Sequence, residues 1–163
     1  MDKISALIRL LDDPEDADAH HWAFGEPEPL DIDENLLPHE DDQPFLLKEL
    51  VCTELGEVGP EAREAIPALL RCVEDETDST CARSMRLAAT EAIWKITHEP
   101  AIEIWERLLG DKECWFRRQV VEFLEEAGHP AALDLLRERQ LQDSRPEVRE
   151  AAARAIAKIE AGS

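Results

Sequence analysis

The chain has 163 residues and a formal net charge of −20, with 38 acidic side chains against 18 basic ones. A chain of this length can bury a core without disulfides or a structural metal, and its scarcity of aromatic residues and glycine predicts helices rather than strands. The charge disfavours a nucleic-acid duplex or an anionic membrane surface as partner, and it favours a basic protein.

Residues 2–12 have the apolar spacing of a short amphipathic helix, which an aspartate-proline pair ends. Residues 13–43 then carry twelve carboxylates and no lysine or arginine, together with four prolines. A segment of this composition cannot bury enough apolar surface to fold by itself. Its most apolar cluster includes Trp22 and Phe24. We predict that these two side chains anchor the segment on the helical body, or alternatively bind a partner as a linear motif.

Helical periodicity resumes at Pro44 and continues to the end of the chain. The predicted helices span about 44–58, 60–73, 83–97, 100–110, 114–127, 131–142 and 146–160. Pro67 falls inside the second of these helices, where it is expected to cause a kink.

Four segments repeat one pattern, and they begin at Leu47, Met85, Phe116 and Val148, at intervals of 38, 31 and 32 residues. Such intervals are typical of solenoids, in which each helical hairpin buries its apolar face only against its neighbours. We predict an all-α solenoid in a single domain of residues 1–163. Its four hairpins would cover about 2–58, 60–97, 99–127 and 129–160, with the acidic residues 13–43 inserted in the first hairpin.

The phrases LGEVGPEAREAIPALLRCVED and DSRPEVREAAARAIAKI resemble HEAT repeats, including the short bacterial kind also called phycobilisome-lyase-like repeats. The resemblance covers residues 44–160 well and residues 2–12 weakly. It implies a HEAT-like superhelix. It implies no single activity, because HEAT-like folds serve many roles.

A basic residue follows each repeat start, and an aspartate precedes each start. We call this set the ladder; it comprises Lys48, Arg86, Arg117 and Arg149 with Asp42, Asp75, Asp111 and Asp143. The ladder is predicted to pair helices with turns and to hold adjacent repeats together, rather than to line a groove for an acidic ligand.

The positions five and nine residues after each repeat start are predicted to face the concave surface, where packing does not require them. Trp94 is the residue there that we most expect to contact a partner, although packing against a neighbouring helix or the insertion is an alternative. The candidate partner-binding residues are Trp94, Thr90, Glu125, Glu122, Glu49, Trp22 and Phe24.

Motifs for catalysis or metal binding are weak. His39-Glu40 and His98-Glu99 are similar to the His-Glu pairs of deoxyhypusine hydroxylase, a HEAT-like di-iron enzyme, but they lie at unmatched repeat positions. Residues 31–35 imitate the start of a calcium loop without its glycine and glutamate. There is no nucleophile elbow or glycine-rich phosphate loop. We predict no catalytic residue, metal or cofactor.

The four cysteines, at positions 52, 72, 81 and 114, lack the paired spacing of a zinc site. Each lies in or beside a predicted helix, where a thiol packs as a small apolar group. We expect reduced thiols and a cytoplasmic protein, since the N-terminal residues do not have the pattern of a signal peptide and no apolar run has the length of a membrane span.

The leading functional hypothesis is a non-catalytic scaffold or adaptor, which binds a basic partner protein through the inner helical face and the acidic insertion. Two alternatives stay open. One is a phycobilin lyase-like or chaperone-like activity, implied by the resemblance. The other is an acidic inhibitor that mimics DNA and blocks a basic protein. No nucleic acid or membrane is expected as a partner, and a monomer is favoured.

Overall fold

The computed structural model of the protein describes residues 1–25, 41 and 43–162, and within them the regular structure is entirely helical. The α-helices are α1 (Lys3–Asp12), α2 (Ala17–Phe24), α3 (Gln43–Val58), α4 (Ile66–Glu74), α5 (Thr80–Thr97), α6 (Ile102–Leu109), α7 (Cys114–Ala127), α8 (Leu133–Gln142) and α9 (Pro146–Gly162). Short 3₁₀ segments, Gly59–Ala65 and Pro130–Ala132, precede α4 and α8. The predicted all-α class is confirmed.

The chain divides into two compact units, Met1–His98 and Glu99–Ser163, which we call the N-terminal unit and the C-terminal unit. In the N-terminal unit α3 packs along α5, and α1 packs against α2, α3 and α4. In the C-terminal unit α9 packs against both α7 and α8, while α6 packs against α7. Each unit therefore contains helices with neighbours on more than one side.

The two cores are built from different side chains. The N-terminal unit buries mostly aliphatic residues, including Leu7, Leu10, Leu55, Leu69, Met85 and Ile96. The C-terminal unit buries two large aromatic residues, Trp105 and Phe116, completely. The Trp105 ring also meets the Phe123 ring edge to face, with 6.2 Å between their centroids. Burial of such large side chains supplies the principal stabilisation of a small helical core.

Helices α3 and α5 approach each other closely at Gly56. A Cβ atom at this position would lie 3.1 Å from the Cα atom and 3.3 Å from the Cβ atom of Ala92. Glycine is therefore required for the observed separation of these two helices, whatever it costs in backbone entropy.

The turn between α3 and α4 differs from the prediction, because Pro67 does not kink a helix. Residues Gly59–Ala65 form a 3₁₀ segment with a non-helical ψ of 19° at Ala62, and α4 begins only at Ile66. Pro67 thus lies in the first turn of α4. A proline is tolerated there because the missing N–H would have no partner within the helix.

Helix α2 lies inside the segment that we expected not to fold by itself. Asp16 caps its start by accepting a hydrogen bond from the backbone N–H of Ala19 (2.9 Å), and Gly25 ends it with a φ of 83°. The helix packs on α1, which supplies the apolar surface that the segment itself lacks. Among the described residues, no helix is both long and apolar enough to cross a membrane.

Candidate functional site

The ladder is best formed in the C-terminal unit, at Arg117 and Asp143. Arg117 donates from Nε and Nη2 to the two carboxylate oxygens of Asp143, both at 2.8 Å. Its Nη1 donates to the carbonyl oxygens of Asp111 (2.8 Å) and Lys112 (3.1 Å). Both side chains of the ion pair are buried. This fork geometry, which only arginine provides, connects α7 with the turn before α9.

The environment keeps both members of this pair charged. Burial acts to raise the pKa of Asp143, but the hydrogen bond from Arg117 and the one from the backbone N–H of Arg145 outweigh it, so the pKa is lowered. The hydrogen bond to Asp143 likewise raises the pKa of Arg117. An ionised, hydrogen-bonded pair of this kind strongly penalises the removal of either partner.

The other ladder arginines bind turn carbonyls. Arg86 donates from Nη1 to the carbonyl oxygens of Asp75 (2.7 Å) and Thr77 (3.0 Å). Arg149 donates from Nη1 to the carbonyl oxygen of Asp143 (2.7 Å). These bonds satisfy backbone acceptors in the turns that lead into α5 and α9. Lys48 is half-buried on α3.

Several predicted positions lie outside the described residues. They are Asp42 of the ladder, the pair His39-Glu40, and residues 31–35 of the calcium-like run. Within the described part of the chain, no group of three or more His, Cys, Asp or Glu side chains is arranged to hold a metal ion.

The prediction that Thr90 faces a partner is wrong. Only 1% of Thr90 is exposed, and its hydroxyl donates to the carbonyl oxygen of Arg86 at 2.8 Å. Cys52 and Val121, at the same repeat position, are also fully buried. The inner helices have neighbours on more than one side. A second neighbouring helix can therefore bury a position that would face solvent if the helix had only one neighbour.

Trp94 lies in the last turn of α5 and is half-buried. Its ring meets the His98 ring edge to face, with 6.0 Å between the centroids. His98 ends the helix in a left-handed conformation, with a φ of 54°, and its N–H donates to the carbonyl oxygen of Trp94 at 2.8 Å. On α3, Glu49 is half-buried, and burial raises its pKa. The role of Trp94 and Glu49 in binding a partner stays a prediction.

The two glutamates predicted on α7 are balanced by basic side chains. Glu125 accepts from Arg154 (3.3 Å) and Lys158 (3.4 Å) on α9. Glu122 accepts from Arg118, one turn earlier on its own helix, at 2.9 Å. Both glutamates predicted in the acidic neighbourhood are therefore paired with basic side chains.

Most of the negative charge belongs to the N-terminal unit. Residues 1–98 contain twenty-four acidic and eight basic side chains, whereas residues 99–163 contain fourteen acidic and ten basic ones. Half of the acidic side chains of the N-terminal unit lie in residues 13–43. The negative electrostatic potential is consequently concentrated at this unit.

Trp22 stands on the outer side of α2 and is 54% exposed. The predicted anchoring role of this residue is wrong: Ala19 and Ala23 are the buried side chains of the helix. Phe24 is half-buried, with its ring centroid 5.2 Å from that of His20. Aspartate at the helix start and glycine at its end are signals that could have predicted where α2 begins and ends.

Residues 80–157, from the start of α5 to near the end of α9, match the family model of HEAT repeats. The matched range is just under half of the chain, and it supports a HEAT-repeat protein with the HEAT-like, all-α fold class predicted above. No curated protein matches the chain significantly. The match does not test the phycobilisome-lyase-like subtype, which stays a prediction.

Proposed function

We propose that the protein is a non-catalytic interaction module, which binds a basic partner protein through its N-terminal unit. HEAT repeats commonly serve as protein-interaction scaffolds. The observation that carries the proposal is the position of Trp22, a large aromatic side chain, 54% exposed, within the most acidic part of the chain. Exposed tryptophans that become buried on binding are among the residues that contribute most to interface affinity.

Trp22 is presented from a helix that is fixed at both ends and along one side. Asp16 caps the start of α2 and also pairs with Arg9 of α1. The small side chains of Ala19 and Ala23 are buried and let α2 lie close to α1. A side chain on such a helix loses little further backbone freedom when a partner covers it, so more of the contact energy remains as affinity.

The surroundings of Trp22 favour a partner rich in arginine or lysine. Glu15 and Asp18 are exposed near the start of the same helix, and the acidic excess of residues 13–43 adds a negative field. An arginine from the partner can stack on the indole ring while its charge meets a carboxylate. Association that depends on such a field weakens as salt screens it.

The experiment is affinity capture from the source cell at low and high salt, with the full chain as bait, followed by measurement of the dissociation constant for the captured partner. Trp22→Ala is the test variant. Leu141→Ala is the matched control, since Leu141 on α8 is 77% exposed and apolar but lies in the other unit. We expect a partner with a basic surface, and a roughly tenfold or larger loss of affinity for Trp22→Ala alone.

Two outcomes would contradict the proposal. One is that the captured partners are acidic, or that their affinity does not change with salt. The other is that Trp22→Ala and Leu141→Ala bind equally well. A double variant, Glu15→Gln with Asp18→Asn, removes two negative charges and keeps the Trp22 ring. It should weaken binding at low salt and have little effect at high salt, which separates the electrostatic contribution to affinity from the aromatic one.

A further inference from the structure

A cleft of about 570 Å³ opens in the N-terminal unit between α2, the turn before it and the start of α3. The described residues that line it are Pro14, Glu15, His20, Gln43, Pro44 and Leu47. Helix α1 packs against both α2 and α3, so it holds the two walls in place. Clefts of about 300–1,000 Å³ are typical of ligand sites. This cleft therefore has room for more than one side chain of a ligand.

Glu15 places a carboxylate at the cleft. Its backbone N–H donates to Oδ1 of Asp13 (3.1 Å), and the N–H of Asp16 donates to the carbonyl oxygen of Asp13 (3.2 Å), so hydrogen bonds fix the turn that carries Glu15. The neighbouring carboxylate of Asp16 is already paired with Arg9. Glu15 is exposed, and no basic side chain among the described residues pairs with it. Its negative charge is thus available to a ligand.

Most of the other lining residues offer apolar surface. Pro14 and Leu47 are half-buried, and Pro44 is exposed in the first turn of α3. His20 is half-buried as well, and its ring lies against that of Phe24, with 5.2 Å between the centroids. The hydrocarbon stem of a long basic side chain, or an apolar side chain next to it, can pack on such a surface.

This lining is unsuited to several classes of ligand. None of the described lining residues is a lysine or arginine, so an anionic group would meet Glu15 without a cation to hold it. One carboxylate and one imidazole are too few to hold a metal ion, and no larger group of metal ligands occurs within the described ranges. A ligand that combines a positive charge with apolar groups fits both features of the cleft.

We propose that this cleft docks a linear segment of the partner protein, in which an arginine beside an apolar residue places its guanidinium against Glu15. The planar fork of arginine matches a carboxylate better than the point charge of lysine does. The inference rests on the proposed function, which supplies the basic partner. It adds a second contact to that function, because Trp22 is exposed on α2 and is not among the residues that line the cleft.

The test is a titration of the ¹⁵N-labelled full chain with the peptide acetyl-Gly-Leu-Arg-Leu-Gly-amide, followed by nuclear magnetic resonance. We expect saturable shifts of the backbone amides of His20, Gln43 and Leu47, and little change in the C-terminal unit. Citrulline in place of arginine keeps the shape and removes the charge, and it should weaken binding by about tenfold. Lysine in the same place should weaken it less, because the charge remains.

Three variants of the protein locate the contact. Glu15→Gln should weaken peptide binding by about tenfold. The matched control is Asp18→Asn, which removes the same charge from an exposed position in the first turn of α2 that is not among the lining residues. Gln43→Trp places a large ring at an exposed edge of the cleft and should abolish saturable binding. Circular dichroism confirms that each variant is folded.

The proposal is overturned if the amides of the cleft do not shift, or if the citrulline peptide binds as tightly as the arginine peptide. Equal losses in Glu15→Gln and Asp18→Asn would also overturn it, since they would show attraction by the general negative field. So would equal binding of free acetyl-arginine amide, because the apolar neighbours would then contribute nothing. The peptide results concern the cleft alone, whereas an unchanged affinity of Trp22→Ala for the captured partner contradicts the proposed function alone.

Discussion

The two units are built from similar helices but differ in charge and in the exposure of their tryptophans. The N-terminal unit carries most of the negative charge and exposes Trp22, whereas the C-terminal unit pairs its glutamates with nearby basic side chains and buries Trp105. In both units most buried positions are apolar or small, and buried arginines such as Arg86 and Arg117 bind turns. Packing between helices restricts only part of each repeat, and the exposed part carries different charges and aromatic residues in the two units.

The ladder shows the same contrast. Arg117 of the C-terminal unit holds a carboxylate with two hydrogen bonds, while the first ladder position of the N-terminal unit is a lysine, Lys48. A lysine ammonium cannot form the planar two-pronged contact that arginine makes. The first repeat therefore lacks the guanidinium that, in the third repeat, holds a carboxylate by two hydrogen bonds.

The largest contrast between the units should appear when the two tryptophans are exchanged for alanine. Trp105→Ala removes a fully buried ring that packs on Phe123, and it should lower the free energy of unfolding by about 4 kcal/mol. Trp22→Ala should change it by less than about 0.5 kcal/mol. Urea denaturation followed by circular dichroism measures both. Equal losses would show that the exposed indole also stabilises the fold.

Removal of Asp143 should have the next largest effect. Asp143→Ala leaves the buried guanidinium of Arg117 without its carboxylate, which should destabilise the C-terminal unit by about 3 kcal/mol. The control is Asp134→Ala, because Asp134 forms an exposed pair with Arg137 on α8 that contributes at most about 0.5 kcal/mol. If both variants unfold at the same urea concentration, the buried pair is not what joins α7 to the turn before α9.

Acid should lower the free energy of unfolding of the C-terminal unit by protonating Asp143. The loss should be smaller than that caused by Asp143→Ala. The folded-state pKa of Asp143 lies below its ordinary value of 3.8, so its stabilising contribution is complete above that value and is lost as the pH falls through the lowered pKa. Asp143→Asn cannot titrate. We expect the urea midpoint of the wild type to fall more steeply than that of Asp143→Asn below about pH 4. Parallel curves would contradict this.

The smallest predicted effect concerns the close approach of α3 and α5 in the N-terminal unit. Gly56→Ala places a methyl group 3.1 Å from the Cα atom of Ala92, so the helices must move apart. This overpacking exceeds the gain in helix propensity and should destabilise the unit by about 1 kcal/mol. Gly162→Ala is the control, since nothing lies within 4 Å of its Cβ position. A stabilised Gly56→Ala protein would show that α5 moves without cost.

The sequence predicted most helices well, because apolar periodicity and terminal prolines mark them. Residues 114–127 were predicted with the bounds that α7 has, and the first helix was predicted to within one residue at its start. Pro67 was misplaced because a 3₁₀ segment and the following helix share one apolar pattern. The average composition of the segment that contains α2 conceals an eight-residue helix with a cap at each end.

The candidate surface was harder to predict than the helices. Thr90 was assigned to the concave face from its repeat position alone, but burial depends on how many helices surround α5, which no single repeat reveals. Glu125 looked acidic in isolation, because its basic partners Arg154 and Lys158 are distant in sequence. Periodicity gives the direction of a side chain, and only tertiary packing gives its neighbours.

The small apolar contact between α2 and α1 affects how easily α2 unfolds locally. Two alanines bury far less apolar area than the leucines of α1, so α2 can detach from α1 at much lower free energy than global unfolding requires. Amide hydrogens of α2 should therefore exchange early. Any ligand that covers Trp22 and requires the docked helix should slow that exchange, by a factor that grows with the ligand concentration relative to its dissociation constant.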